Sequence, residues 1–170
     1  MQHEEGLVFG GGEPLLYSDF IKEFIKKYTK TGWKFTLETS LNVKKESIEN
    51  IIHCIDYFIV DTKDMDKTRY ELYTKGSYDL FLSNLKYLLE TVGADKIRVR
   101  VPKIPKLNTY ADVRLNYELL KNMGFTEIEI FDYIEIDKHK RISDVTLKNK
   151  NDFVDVANNN FIKDYIISEI

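Results

Sequence analysis

Short runs rich in Val, Ile and Phe alternate along this chain with longer amphipathic stretches, and that alternation constrains the fold more than any other feature. The strand candidates are Leu7–Gly10, Lys34–Glu38, Tyr57–Asp61, Lys96–Val101 and Glu127–Phe131, each too short for a helix and dense in strand formers. Helical patterns fill the intervals at Tyr17–Lys30, Lys44–Cys54, Tyr78–Val92 and Tyr110–Met123. In the first of these, Phe20, Ile21, Phe24, Ile25 and Tyr28 recur at the spacing of one helical face. Gly32, Gly93 and Gly124 fall just past helical patterns, where a left-handed cap is wanted. Pro14 opens the first helical region, where its missing N–H costs little. The polar stretch Lys63–Ser77 reads as an irregular loop plus a turn of helix.

Repeated strand–helix–strand units with connections this short predict an α/β fold with a parallel sheet and right-handed crossovers. Two architectures satisfy the pattern: an open doubly wound sheet, or part of a (β/α) barrel, since five strands are too few for a closed barrel of eight. They differ in strand order. A doubly wound sheet places the first strand centrally, whereas a barrel sets sequential strands side by side. The Asn-, Lys- and Asp-rich tail, residues 141–170, is expected to form a loose loop and then a short helix around Phe161–Ser168, leaving residues 1–140 as the domain proper.

Composition narrows the function. A length of 170 residues fits one domain at roughly 150 residues per domain. A net charge of −3 leaves no basic excess for coating nucleic acid. No apolar run approaches the roughly 20 residues that span a bilayer, and MQHEEGLVF has no signal-peptide character. One cysteine, Cys54, excludes an internal disulfide, a Cys-rich zinc site and any iron–sulfur cluster held by three cysteines of this chain. The expectation is a protein of the reducing cytoplasm with neither nucleic-acid nor membrane partners.

In parallel α/β folds ligands sit at the carboxyl ends of the strands, where loops and helix N-termini converge. Every candidate strand here ends in polar residues: Gly10-Gly11-Gly12-Glu13, Glu38-Thr39-Ser40, Asp61-Thr62-Lys63, the Arg98/Arg100 pair before Pro102, and Asp132-Tyr133. Singly, each could be a helix cap or a solvated end. Together they predict a binding site. The glycine triplet lets the backbone approach a ligand without Cβ interference. It matches neither the phosphate-binding Gly-Lys-Ser/Thr loop nor the Gly-x-Gly-x-x-Gly dinucleotide turn. Glu13 directly after it suits a cationic group, such as an amine, better than a phosphate. Elsewhere, Cys54 and the tyrosines Tyr70, Tyr73, Tyr78 and Tyr87 read best as packing residues, His3 as a disordered terminal residue and His139 as solvated surface.

These residues resemble a known family. Val8-Phe9-Gly10-Gly11-Gly12-Glu13-Pro14 resembles the Gly-Gly-Glu-Pro motif of radical S-adenosylmethionine enzymes. Asp61-Thr62-Lys63 resembles the Asp-x-Lys motif of one branch, the glycyl-radical-enzyme activating enzymes, of which pyruvate formate-lyase activating enzyme is the type. Arg100-Val101-Pro102-Lys103-Ile104-Pro105 is similar to that branch's Arg-Val-Pro-x-Ile-Pro segment, and Glu38-Thr39-Ser40 takes the place of its Asp-Thr-Asn. The resemblance runs from about Val8 to Lys140.

The resemblance implies a partial (β/α)6 barrel of about five parallel strands, lacking the first, that binds S-adenosylmethionine at its mouth. Gly11, Gly12 and Glu13 would hold the cofactor's amino group, and Asp61 and Lys63 would meet its carboxylate region and ribose. Arg100 would stabilise the cofactor or the radical made from it. Glu38 and Thr39, with Asp61, match the place where that branch binds a monovalent cation. Lys63 and Arg100 are the expected catalytic residues. A glycyl radical enzyme is the implied protein substrate, and flavodoxin or ferredoxin the implied electron donor.

The chain departs from the family's pattern in three places. The Cys-x-x-x-Cys-x-x-Cys loop that holds the family's [4Fe–4S] cluster has no counterpart among the nine residues before Gly10. The family's Pro-Tyr-His segment reads Asp132-Tyr133-Ile134, and Glu38 is one methylene longer than the family's Asp. The expectation is therefore the cofactor-binding portion of a truncated activating enzyme, inactive as it stands. The alternatives are a degenerate, cluster-free half-barrel that binds a nucleoside or a protein, and a doubly wound domain with accidental motif matches.

Overall fold

The computed structural model describes residues 6–133. The chain divides into two compact units, Met1–Tyr133 and Ile134–Ile170. The second, with the helix expected at Phe161–Ser168 and the tail beyond Lys140, lies outside the described residues. Five strands form one sheet: β1 (Gly6–Phe9), β2 (Lys34–Thr39), β3 (Tyr57–Asp61), β4 (Ile97–Lys103) and β5 (Glu127–Asp132). Every pairing is parallel and the order is β1-β2-β3-β4-β5. Sequential neighbours are the order of a (β/α) barrel wall. No strand reverses the progression, so the doubly wound alternative is excluded among the described residues.

The helices are α1 (Ser18–Tyr28), α2 (Lys45–Glu49), α3 (Lys67–Thr74), α4 (Tyr78–Val92) and α5 (Tyr110–Asn122). Helix α4 spans the predicted range because its ends are chemically marked. The Ser77 side chain accepts from Leu80 N–H at one end and Gly93, φ 84°, stops the other. Helix α5 opens on a reciprocal capping box between Thr109 and Asp112. The predicted helix Lys44–Cys54 is instead broken into α2 and a 3₁₀ turn at Ile52–Cys54. Its isoleucines Ile48, Ile51 and Ile52 are all buried, and the break lets both sides of the segment enter the core. The loop predicted at Lys63–Ser77 contains the whole of α3, longer than the expected single turn.

Alternation along the strands divides the sheet into two faces. Phe35, Leu37, Phe58, Val60, Val99 and Val101 are buried with Ile21, Ile25, Phe81, Leu85 and Leu88 in one core cluster. Phe20, assigned to the buried stripe of α1, is instead 67% exposed, because it lies one step off the Ile21–Ile25 face. Tyr70 is buried, stacked on Phe81 and edge-on to Tyr78, while Tyr73 is exposed. The opposite face carries Thr36, Glu38, Tyr57, Ile59, Asp61, Arg98, Arg100, Glu127 and Glu129. All but Arg100 are only half-buried. In a (β/α) barrel the face away from the helices is the inner one, and here that face is the polar one.

Candidate functional site

At the carboxyl ends of β2, β3 and β4 four charged side chains form a continuous chain. Parallel register sets Asp61 beside Arg100 on the polar face. Arg100 Nε donates to Asp61 Oδ1 at 2.6 Å, and its Nη2 donates to Glu38 Oε1. Lys63 Nζ donates to the other oxygen of Asp61, Oδ2, at 2.8 Å. The Arg100 guanidinium also lies 5.8 Å from the Phe131 ring centre. Two carboxylates and two cations leave the array formally neutral.

Burial gives this array its strength. Arg100 is 4% exposed, where an ion pair is little screened and an unpaired charge would be costly. Burial alone would push the Asp61 carboxyl up, but the Lys63 ammonium and the Arg100 guanidinium outweigh it and hold the carboxyl below its ordinary value. Burial likewise opposes the charge on Arg100, and Asp61 followed by Glu38 outweighs it, so the guanidinium is held charged more firmly than usual.

The glycine turn after β1 borders the same end of the sheet. Gly11 and Gly12 have φ of 79° and 55°, conformations that an L-residue adopts at a cost of roughly 1–2 kcal/mol. A Cβ at either would meet nothing within 4 Å, so the turn fronts open space. Glu13 has a use the sequence did not reveal. Its Oε1 accepts from Leu15 N–H at 3.1 Å and Thr39 Oγ1 at 2.8 Å, and its Oε2 from Ser40 N–H at 2.9 Å and Ser40 Oγ at 2.6 Å. A carboxylate has about four acceptor sites, and four protein donors occupy them here. Glu13 therefore ties the glycine turn to the end of β2, and the exposed main chain of Gly11 and Gly12 faces outward. Thr39 is 2% exposed and belongs to this tie rather than to the charged array.

Three buried residues lie behind the mouth, and two of them, Asp64 and Asn108, were not singled out from sequence. Thr62, Asp64 and Asn108 are buried between the loops after β3 and β4. Asp64 reads in sequence as part of the charged run Lys63-Asp64-Met65-Asp66-Lys67, and Asn108 as an ordinary loop asparagine. Neither carries a signal of burial.

A second charged cluster lies two residues lower on β4. Arg98 Nε donates to Glu127 Oε1 at 2.6 Å, and Tyr57 Oη donates to the Glu127 carboxylate. Burial first, then the Glu127 carboxylate, push the Tyr57 hydroxyl up to about 12. Arg98 and Arg100, adjacent on one strand face and read together from sequence, thus serve two different clusters.

The chain is 37% identical over 103 residues to the (2S)-3-sulfopropanediol dehydratase activating enzyme of Klebsiella oxytoca. It is 32% identical over 139 residues to the trans-4-hydroxy-L-proline dehydratase activating enzyme of Clostridioides difficile. Its homologues are glycyl-radical-enzyme activating enzymes of the radical S-adenosylmethionine superfamily. The matches cover 61% and 79% of this chain but only 32% and 45% of those relatives, so the chain spans less than half their length. No protein-family model matches. Among solved structures, Streptococcus suis SuiB bound to S-adenosylmethionine shares the fold, with a TM-score of 0.61 and 21% identity over 96% of this chain and 37% of that one.

The residues present accommodate some of the groups these homologues imply and not others. The neutral array and the open glycine turn suit a zwitterion such as the methionine end of S-adenosylmethionine. A further cation does not suit the mouth. Both oxygens of Asp61 and one of Glu38 are bound by Arg100 and Lys63, and no group of three or more His, Cys, Asp or Glu among the described residues could hold a metal ion. A [4Fe–4S] cluster does not fit these 170 residues. Their single cysteine, Cys54, precedes β3, at the end of the sheet away from the mouth. No helix among the described residues is long and apolar enough to cross a membrane.

Proposed function

We propose that this chain is the S-adenosylmethionine-binding part of an activating enzyme that generates a glycyl radical in a partner protein. The observation that carries the reading is the Glu38–Arg100–Asp61–Lys63 array, set on the open face beside the Gly11–Gly12 turn. The cofactor's carboxylate is met by the Lys63 ammonium, which has N–H donors beyond the one given to Asp61. Its amino group is met by the main chain of Gly11 and Gly12, in the position that Glu13 fixes. Arg100, clamped between Glu38 and Asp61, holds both carboxylates in place beneath the ligand.

When bound in a complete activating enzyme, S-adenosylmethionine supplies the radical that removes hydrogen from the target glycine. These 170 residues alone bind the cofactor without cleaving it. A glycyl radical enzyme is the protein partner, flavodoxin or ferredoxin the electron donor, and the cytoplasm the compartment.

The test is calorimetric titration of S-adenosylmethionine into the chain and into Lys63→Ala and Gly12→Val variants. The reading expects saturable binding by the parent, weakened about tenfold or more in each variant, with no 5′-deoxyadenosine formed by the chain alone. Equal heats for all three proteins would sink it.

A further inference from the structure

Lys63 occupies the left-handed region of backbone space, φ 57°, although it is not glycine. The turn around it is tight: Asp64 N–H donates back to Thr62 O at 2.7 Å. Strain of this kind persists only where the surroundings over-determine it. Both flanks of Lys63 are fixed from outside. Thr62 donates to Arg100 O through its N–H at 3.1 Å and through Oγ1 at 3.0 Å. Asp64 is completely buried, and its carboxylate accepts from Asp66 N–H at 2.8 Å, Arg69 Nε at 3.0 Å and Asn108 Nδ2 at 3.4 Å. Asn108 in turn donates to Pro102 O at 3.0 Å and accepts from Ile104 N–H at 2.8 Å. The turn that carries Lys63 is thus fastened at both ends to one segment, residues 100–108, which also carries Arg100.

A fully buried carboxylate is an expensive way to brace a loop unless its charge and direction matter. Asp64 does not touch the mouth itself; Lys63, its neighbour, does. We propose that Asp64 is a positioning residue, which through Asn108 and Arg69 holds the strained turn that aims the Lys63 ammonium at Asp61 and at the carboxylate of the bound ligand. Its part in binding the ligand rests on the S-adenosylmethionine reading above; its effect on Lys63 does not.

The alternative is that Asp64 only steadies the start of α3, where Asp66 is the cap. The Asp61 carboxyl separates the two by sign. It faces Arg100, Lys63 and, across the guanidinium, Glu38. Removing a nearby negative charge lowers its pKa, whereas releasing Lys63 raises it. The experiment is a carbon-13 NMR titration of Asp61 in the 170-residue chain and in Lys63→Ala, Asp64→Asn and the double variant, with S-adenosylmethionine affinities measured alongside. Positioning expects Asp64→Asn to raise the Asp61 pKa in the same direction as Lys63→Ala and to weaken binding about tenfold, with the double variant no weaker than Lys63→Ala alone. An Asp61 pKa that stays or falls in folded Asp64→Asn overturns the proposal. So do affinity losses that add in the double variant. If the parent fails to bind S-adenosylmethionine, the cofactor reading fails, and the Asp61 titration still decides the positioning role. If Asp64→Asn does not fold, Asn108→Ala takes away another partner of Asp64 without removing any charge and is judged by the same Asp61 shift.

Discussion

Arg98 and Arg100 point to the same face of β4, two residues apart, and both bind carboxylates, yet their clusters are built differently. At the mouth, Arg100 is 4% exposed and bridges carboxylates from two other strands, Glu38 and Asp61. Lower down, the Arg98 side chain is 40% exposed and pairs with Glu127 and Glu129 on a single neighbouring strand. The first arrangement leaves three strand ends mutually dependent. The second is a screened surface brace, of the kind worth about 0–1 kcal/mol. Identical chemistry becomes structurally critical where burial and convergence of several strands make each charge indispensable to the others.

The sharpest way to break this contrast is Arg100→Leu. It strands Glu38 and Asp61 without their buried partner, and a loss of about 3–5 kcal/mol is expected by urea unfolding. Glu13→Ala follows, since it leaves the Thr39 hydroxyl and the Ser40 N–H without their acceptor. A loss of about 1–3 kcal/mol is expected, together with loss of S-adenosylmethionine binding. Asp61 adds a pH signature. Its folded pKa is depressed, so its pairing stabilises the fold above the ordinary carboxylate value of about 3.9 and is lost as the pH falls through the lower folded value. Asp61→Asn is therefore expected to flatten the loss of stability below about pH 4, measured as unfolding free energy across a pH series. The smallest effect belongs to the lower cluster. Arg98→Ala is expected to cost about 0.2–1 kcal/mol, and less at high salt. Glu127→Gln should bring the Tyr57 hydroxyl down from about 12, followed by ultraviolet titration of tyrosinate. If Arg98→Ala proved as damaging as Arg100→Leu, the contrast between the clusters would collapse.

The sequence showed the mouth better than what supports it. Strand alternation and polar strand ends placed Glu38, Asp61, Lys63 and Arg100 together because a parallel sheet with crossovers leaves those ends nowhere else to go. Marked ends made α4 legible. Helix α3 was underestimated because its apolar residues form no stripe: Tyr70 is buried while Leu72 and Tyr73 are exposed. It is held instead by the Asp66 cap and by Tyr70 stacking on Phe81. The Glu13 tie and the Asp64–Asn108 contact stayed hidden for a related reason. Each joins residues 26 or more positions apart, and nothing local distinguishes a buried acidic residue from a solvated one.

The strictly sequential strand order has a consequence for how the chain is made. The first paired residues of neighbouring strands lie 28, 21, 39 and 29 positions apart, at 6/34, 36/57, 58/97 and 98/127, and among the described residues no strand waits for a partner from the far end of the chain. Each new unit can dock on the one before it as it leaves the ribosome, so the sheet can grow in the direction of synthesis. The charged array cannot form so early. Glu38, Asp61 and Lys63 are in place before Arg100 is translated, and the array carries one carboxylate in excess until β4 arrives to neutralise it.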